Sequence, residues 1–173
     1  MRDPDPRTVQ QARAGDLRAF EELVRLYQAE VFRFAWHLTR DRTLAEDVTQ
    51  DTFLRAFRFI HGYRGGQRFG SWLFAIARNC SMDALRKRGT IAEHDGREPR
   101  VTPDASTRAE LDAALAAVSA EHRDAFLLVE VFGLSYQEAA DVLGVAVGTV
   151  KSRMFRARRA LCAAIAVDDE QAQ

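Results

Sequence analysis

The chain has 173 residues, of which 47% are hydrophobic and 29% charged, and its 25 Lys and Arg balance its 25 Asp and Glu. This length can hold one large domain or two small ones, and the composition is that of a soluble globular protein. No segment approaches the roughly 20 uninterrupted apolar residues of a membrane span, and the first residues carry no apolar run. We therefore expect a cytoplasmic protein with no membrane insertion.

The balanced total hides an uneven distribution of charge. Residues 1–88 hold 16 Lys and Arg against 11 Asp and Glu, net +5, whereas residues 89–150 hold 4 against 11, net −7. Residues 151–173 hold 5 against 3, net +2. Two nucleic-acid surfaces joined by a neutral or repelling connector would produce this pattern, and so would chance.

The residue types that carry most catalysis and metal binding are scattered. Cys80 and Cys162 are far apart and lie within helical patterns, which favours buried, reduced thiols. The four histidines occur singly, with no metal-ligand spacing, and the sequence has no phosphate-binding loop or nucleophile elbow. We expect no metal, no cofactor and no catalytic residues.

The first sixty residues predict three helices. A short helix over Thr8–Ala14 is closed by Gly15, and Asp16 can cap a long second helix. Apolar residues recur along that helix at spacings of three and four: Leu17, Phe20, Leu23, Val24, Tyr27, Val31, Phe34, Ala35 and Leu38. A third helix begins at Asp41 or Thr43, and we expect its buried side to consist of Leu44, Val48, Phe53, Leu54, Phe57 and Ile60.

The opposite side of the third helix carries an acidic turn: Glu46, Asp47, Gln50 and Asp51. A solvated helix face explains this cluster, and so does the favourable interaction of acids with the amino end of a helix. From these residues alone, a binding role stays open.

A glycine-rich loop at residues 61–69 follows and leads into a fourth helix from Gly70 to about Arg88. The inward side of that helix is predicted to be Trp72, Leu73, Ile76, Ala77, Cys80 and Leu85, and the outward side Arg78, Asn79, Asp83, Arg86, Lys87 and Arg88. Glycines, aromatic rings and cations are what single-stranded nucleic acid needs, because bases stack on rings and phosphates take cations. A connecting loop followed by a basic helix end explains the segment equally well.

Residues 89–106 contain two prolines, two glycines and no periodicity, which indicates a flexible linker. Helical spacing resumes over Thr107–Val118, and Ser119 caps a further helix that ends at Gly133. The chain is therefore predicted to be all-α, with an N-terminal helical bundle at 1–88 and a four-helix C-terminal domain at 107–167. Residues 168–173 are expected to form a disordered tail.

The end of the second domain has the spacing of a helix-turn-helix. Ser135 and Glu138 can form a capping box, Ala140 allows close crossing, Gly144 can end the first helix, and Val150 packs between the two helices. The second helix carries cations and no acids: Lys151, Arg153, Arg156, Arg158 and Arg159. This is typical of a helix that lies in the major groove of DNA, although a helical hairpin with a solvated basic face is the alternative.

Three segments together resemble the bacterial sigma factors of the extracytoplasmic-function (ECF) type, which retain only the second and fourth conserved regions. They are AEDVTQDTFLRAF at 45–57, RFGSWLFAIARNCSMDALRKR at 68–88 and LSYQEAADVLGVAVGTVKSRMFRARRAL at 134–161. The resemblance implies a two-domain transcription initiation factor that binds core RNA polymerase and promoter DNA, and an anti-sigma factor that restrains it.

The resemblance also implies roles for individual residues. Polymerase contacts would be Asp47, Gln50 and Asp51, and contacts to the single-stranded −10 element would be Arg64, Gln67, Arg68, Asn79, Asp83, Arg86 and Lys87. Contacts to the duplex −35 element would be Thr149, Lys151, Ser152, Arg153, Phe155, Arg156 and Arg159, of which Thr149 and Arg153 would hold phosphates. Trp72 could belong to this surface or to the core, and its spacing with Ile76 and Cys80 favours the core.

Two other classes of protein compete with this interpretation. A free-standing helix-turn-helix repressor or activator would use the same motif, but it leaves the acidic turn and the glycine-rich loop without a role. A nuclease or recombinase would need clustered acids or an activated nucleophile, and neither is visible.

Overall fold

The computed structural model describes residues 3–95, 115 and 118–171, with side chains described up to residue 89 in the first segment and up to 163 in the last. The chain separates into two compact units, residues 1–102 and 103–173. Every regular element within the described ranges is a helix, so the all-α prediction is confirmed. None of the described helices combines the length and the apolar character needed to cross a bilayer.

The first unit contains four α-helices: α1 (Pro6–Arg13), α2 (Leu17–Thr39), α3 (Arg42–Phe59) and α4 (Phe69–Asp95). Aspartates start the first three, because the carboxylates of Asp5, Asp16 and Asp41 accept hydrogen bonds from backbone N–H groups of the first turn. A short 3₁₀ turn, Ile60–Gly62, follows α3. The predicted cap Asp16 is confirmed, and of the two predicted starts of the third helix the structure has Asp41.

The core of this unit is built on α2. Leu23, Tyr27, Val31, Phe34, Ala35 and Leu38 are buried, which confirms most of the predicted stripe, whereas Leu17 at its amino end is 61% exposed and was predicted wrongly. Phe34 meets Phe74 of α4 edge to face, with 5.2 Å between the ring centroids. Full burial of each large apolar side chain stabilises the fold by about 1.5–3 kcal/mol, so these helices are held together chiefly by α2.

The predicted buried side of α3 is partly wrong. Leu54 is 58% exposed and Phe57 is 39% exposed, and the buried positions are Ala45, Val48, Thr52 and Ala56. Apolar residues lie on more than one side of α3, so the pattern permits two stripes. The packed stripe contains two alanines, whose small side chains let α3 approach its neighbours closely.

The second unit contains α5 (Ala120–Phe126), which continues into a π-helical turn at Leu127–Val131, then α6 (Tyr136–Leu143) and α7 (Val147–Gln171). Gly133 and Gly144 have φ of 69° and 67°, the left-handed conformation predicted for Gly144. The predicted helix at Thr107–Val118 lies outside the described residues, apart from Leu115 and Val118, which are both buried.

Two helices run past their predicted ends. Helix α4 continues to Asp95 rather than Arg88, because one helical glycine costs only about 1 kcal/mol and the next proline, Pro99, is ten residues beyond Gly89. Helix α7 continues to Gln171, past the predicted start of the tail at Asp168. Alanines at 163, 164 and 166 favour that continuation.

Candidate functional surfaces

The predicted helix-turn-helix is formed by α6 and α7. The Ser135 N–H donates to Glu138 Oε2 at 2.8 Å, and the Glu138 N–H donates to Ser135 Oγ at 3.2 Å, so both halves of the capping box are present. Gly144 ends α6 by donating its N–H to the Ala140 carbonyl oxygen. Ala140 and Val150 are buried, which fixes α7 against the preceding helix.

Helix α7 has a buried and an exposed side. Val150, Met154, Ala157 and Leu161 are buried at spacings of four, three and four. The other side brings together five of the predicted −35 residues, all exposed: Lys151, Ser152, Phe155, Arg156 and Arg159. Phe155 is 61% exposed, and the Arg159 guanidinium carbon lies 5.9 Å from its ring centroid. This strip therefore offers hydrogen-bond donors, an apolar ring and positive charge together.

Two arginines of α7 are held by acids of the preceding segment instead. Arg153 Nη2 donates to Glu121 Oε2 at 2.6 Å, and Arg158 pairs with Glu130. The hydrogen bond that Arg158 donates to the Glu130 carboxylate raises the pKa of Arg158. Thr149 is half-buried. The structure thus places Thr149 and Arg153 beside the exposed strip rather than within it.

The acidic turn of α3 is accessible. Glu46, Asp47 and Gln50 are exposed, and Asp51 is half-exposed, with Oδ2 2.9 Å from Arg55 Nη2. The exposed Leu54 follows Asp51 by three residues, so an apolar side chain lies one turn further along the helix. Sequence reasoning missed this neighbour because it assigned Leu54 to the core.

The loop before α4 turns its rings inward. Tyr63 and Phe69 are buried and pack against Trp72, with ring centroids 5.4–5.5 Å apart. The Tyr63 hydroxyl donates to the Gln67 carbonyl oxygen. These two rings are therefore packed within the first unit, and the stacking of bases on this segment stays a prediction.

The polar residues of the loop differ in their surroundings. Arg64 and Gln67 are exposed, whereas Arg68 makes an ion pair with Asp3, with 2.8 Å between Arg68 Nη2 and Asp3 Oδ1. Asp3 also contributes to raising the pKa of Tyr63, although burial of the hydroxyl is the larger cause. The segment that precedes α1 therefore lies against the loop.

The remaining predicted −10 residues share one side of α4, because Asn79, Asp83, Arg86 and Lys87 are spaced by four, three and one. Asn79 follows Phe69 by ten residues, which corresponds to about 15 Å along a helix. The predicted −10 residues therefore form two separate groups, one in the loop before α4 and one further along the helix.

Asp83 is the most strongly paired member of the α4 group. It accepts from Arg55 Nη1 at 3.1 Å and from Arg86 Nη2 at 2.5 Å. These two guanidinium groups, Arg55 first, lower the pKa of the Asp83 carboxyl. Asp83 is thus held in its ionised form.

A cleft of about 470 Å³ lies between α3 and α4. Asp47, Asp51 and Arg55 line its α3 side, and Asp83 and Lys87 line its α4 side. The cleft joins the predicted polymerase surface to the predicted −10 surface. Sequence reasoning did not name Arg55, although its position four residues after Asp51 allows a helical ion pair.

Neither cysteine forms a disulfide in the structure. Cys80 is buried beneath this cleft, and burial raises its pKa to about 11, whereas Cys162 is exposed. Burial is thus as predicted for Cys80 and wrong for Cys162. Among the described residues, no group of three or more His, Cys, Asp or Glu could hold a metal ion.

Both units match known sequence families. Residues 23–91 match the family model of Sigma-70 region 2, and residues 108–161 match that of Sigma-70, region 4. The ECF RNA polymerase sigma factor SigC of Mycobacterium tuberculosis is 38% identical over 169 residues, which cover 91% of this chain and 89% of the relative. The ECF RNA polymerase sigma factor SigE of Mycolicibacterium smegmatis is 39% identical over 155 residues, 83% of this chain but 60% of that relative.

A solved structure agrees with the sequence matches. The sigma factor RpoE of Bartonella quintana, in complex with the anti-sigma factor NepR, superposes with a TM-score of 0.78 at 32% identity. The match covers 88% of this chain and 99% of RpoE. The helical fold of this chain, with its helix-turn-helix, is therefore similar to that of a sigma factor.

The chain belongs to the ECF subfamily of RNA polymerase sigma factors. This membership favours the sigma-factor interpretation over the free-standing repressor or activator.

Proposed function

We propose that this chain is a transcription initiation factor that binds core RNA polymerase and directs it to promoters through their −35 and −10 elements. It acts in the cytoplasm and carries out no catalysis of its own. Family membership supports the class of function. The observation that carries the DNA-binding part is the exposed strip on α7, which follows a complete capping box and turn.

In this proposal, residues 1–88 form the domain that contacts polymerase and the −10 element, and residues 107–167 form the domain that contacts the −35 element. Residues 89–106 connect the two. A tether lets the second contact form at a high effective concentration once the first has formed. Affinity for the isolated −35 duplex can then be weak.

The −35 contacts are assigned to the exposed strip of α7. Arg156 and Lys151 can donate to base edges in the major groove, and Phe155 can contact a thymine methyl group. Arg159, Thr149 and Arg153 are assigned to phosphates, with Ser152 within hydrogen-bonding reach of either. To contact a phosphate, Arg153 has to break its hydrogen bond to Glu121. We therefore expect Arg153 to contribute less to DNA binding than the other members of the set.

The −10 contacts are assigned to the loop and to α4. A base that leaves the duplex stack costs a few kcal/mol, which hydrogen bonds and stacking in a pocket must offset. The exposed Arg64 and Gln67 can supply hydrogen bonds, with Arg68 on the same loop. Asn79, Asp83, Arg86 and Lys87 form the second, separate part of the proposed −10 surface, further along α4.

The polymerase contact is assigned to Asp47, Gln50 and Asp51. The carboxylates of the two aspartates are complementary to a basic surface on the partner. The exposed Leu54 adds an apolar component beside them. We further propose that an anti-sigma factor binds the chain, because RpoE, which it resembles, is found with one.

Run-off transcription with purified core polymerase tests the proposal. Core enzyme alone, and core enzyme with the full chain, are given the same library of promoter fragments. We expect discrete transcripts that require both proteins, and their loss with the double variant Lys151→Ala, Arg156→Ala. The proposal is wrong if no fragment gains a transcript when the chain is added.

A further inference from the structure

Arg55 lies at the boundary between two surfaces with different proposed roles. Its Nη2 is 2.9 Å from Asp51 Oδ2 on its own helix, and its Nη1 is 3.1 Å from Asp83 Oδ2 on α4. About a third of its side chain is exposed, so water has only partial access to the two bonds. One guanidinium therefore holds a carboxylate from the polymerase surface and a carboxylate from the −10 surface.

The connection continues beyond Asp83, because Arg86 Nη2 lies 2.5 Å from Asp83 Oδ1. Asp51, Arg55, Asp83 and Arg86 thus form a row of alternating charges, of which the first three line the cleft. The pKa of Arg55 is raised by its hydrogen bonds to Asp83 and then to Asp51, as expected for a cation between two anions. A change of charge at one end of such a row alters the partners at the other end.

Arg42 provides a contrast on the same helix. It donates to Glu46 at 3.1 Å, four residues along α3, and side chains of both residues are more than half exposed. Arg42 thus makes the same kind of helical ion pair with the same acidic turn, and both partners lie on α3.

We propose that Arg55 is a positioning residue that couples polymerase docking at Asp51 to the arrangement of Asp83 and Arg86 on the promoter-facing side of α4. The inference rests on the function proposed above, and it adds a role for a residue outside the sets that contact polymerase and DNA. A basic group that docks on Asp51 competes with Arg55 for that carboxylate. Arg55 then donates to Asp83 from both Nη1 and Nη2, and the bond between Asp83 and Arg86 weakens.

The consequence is that promoter contact by Arg86 depends on polymerase. In the isolated chain, Arg86 is paired with Asp83, which reduces its attraction for phosphate. In the assembled enzyme, the bond from Arg86 to Asp83 is weaker, so the same guanidinium is better able to contact phosphate. Free and polymerase-bound chains should therefore differ in how they use Arg86, although its backbone position on α4 is the same.

The test compares Arg55→Gln with Arg42→Gln in the full chain. Each variant is assembled with core polymerase, and two affinities are measured: that of the chain for core enzyme, and that of the assembled enzyme for a fluorescent promoter fragment. We expect Arg55→Gln to keep core affinity within about twofold and to weaken promoter binding about tenfold, as expected for residues of one charged network. Arg42→Gln should stay within about twofold of wild type in both.

Arg55→Lys serves as the conservative variant. An ammonium group carries the same charge but cannot present two nitrogens to two carboxylates, so promoter binding should recover only partly, to about threefold below wild type. Circular dichroism of each variant checks that the helices are retained.

A double-mutant cycle tests the coupling without altering Arg55. Promoter affinities of the enzymes assembled with Asp51→Asn, Asp83→Asn and the double variant should deviate from independent effects by about threefold or more. The same cycle in the Arg55→Gln background should show independent effects. The first of these two cycles leaves Arg55 in place, so it still tests the coupling if Arg55→Gln fails to fold.

The outcomes separate the two proposals. If the wild-type chain forms no promoter complex with core enzyme, the proposed function itself is wrong. If wild type forms the complex but Arg55→Gln behaves like Arg42→Gln, or if Asp51 and Asp83 act independently, the role of Arg55 is wrong and the proposed function stands.

Discussion

Arg153 of α7 donates a hydrogen bond to Glu121 of α5 across 2.6 Å, and only 16% of the arginine side chain is exposed. The pair links the proposed −35 recognition helix to α5 of the same unit. The stem of Arg153 is largely covered, so the residue contributes by packing as well as by charge. Because its side chain is largely covered, Arg153 contributes more to the stability of the second unit than to DNA binding.

Arg153→Ala should therefore act mainly on stability. We expect a loss of about 1 kcal/mol in the free energy of unfolding, from the ion pair and the covered stem together. Urea denaturation of the full chain measures it, with Arg156→Ala as the control, since the exposed Arg156 should change stability by no more than about 0.5 kcal/mol. Unchanged stability together with weakened promoter binding would instead assign Arg153 to the DNA backbone.

Arg156→Ala should act on recognition of the −35 element. An arginine that donates to a base edge contributes about 1–3 kcal/mol of discrimination at that position. We expect the assembled enzyme to lose preference at one or two −35 base pairs, measured by binding to a set of singly substituted promoters. A uniform loss across all substituted promoters would show that Arg156 contacts phosphate.

Asp51→Lys should abolish binding of core polymerase, because it reverses the charge within the acidic turn. Pull-down of core enzyme on the immobilised full chain measures the effect, and circular dichroism should show unchanged helix content. Glu21→Lys is the matched control, since Glu21 is an exposed acid on α2 with an arginine four residues away. Equal retention of core enzyme by both variants would contradict the docking assignment.

The sequence predicted what depends on neighbouring residues. The cap at Asp16, the capping box at Ser135 and the left-handed Gly144 all involve partners within four residues, so their spacing is visible in the chain. The exposed side of α7 was also predictable, because its buried residues recur at helical spacing.

What depends on residues far apart in the chain was not predictable. Arg55 and Asp83 are 28 positions apart, and Arg153 and Glu121 are 32 positions apart. The exposure of Leu54 and Phe57 depends on which side of α3 packs against its neighbours, and a helix with apolar residues on several sides does not reveal that choice. The inward ring of Tyr63 likewise depends on where Trp72 of α4 lies in the folded unit, nine residues further along the chain.

The two cysteines should differ in reactivity. Cys80 is buried and its pKa is raised to about 11, so at pH 8 it is an inaccessible, neutral thiol, whereas Cys162 is exposed. We expect one thiol per native chain to react rapidly with a disulfide reagent and two to react in denaturant, with Cys162→Ser removing the rapid phase. In the unfolded chain the Cys80 thiol ionises near pH 8.5, whereas burial raises its pKa in the folded chain to about 11. Loss of the proton therefore favours the unfolded chain, and we expect the free energy of unfolding to fall as the pH rises from about 9 to 11. Rapid reaction of both thiols in the native chain would contradict the burial of Cys80.

Two glycines of the helix-turn-helix should respond oppositely to alanine. Gly144 has φ of 67° and no atom within 4 Å of an added Cβ, so Gly144→Ala incurs conformational strain alone, about 1–2 kcal/mol. Gly148 lies in the first turn of α7 with equally open surroundings and no positive φ, so Gly148→Ala should stabilise by up to about 1 kcal/mol. Thermal unfolding of the two full-length variants measures the change in stability for each. Because an added Cβ meets no atom at either site, a change of opposite sign reports on backbone conformation and not on packing. Equal shifts in the same direction would show that the turn at Gly144 relaxes out of the left-handed conformation when a side chain is added.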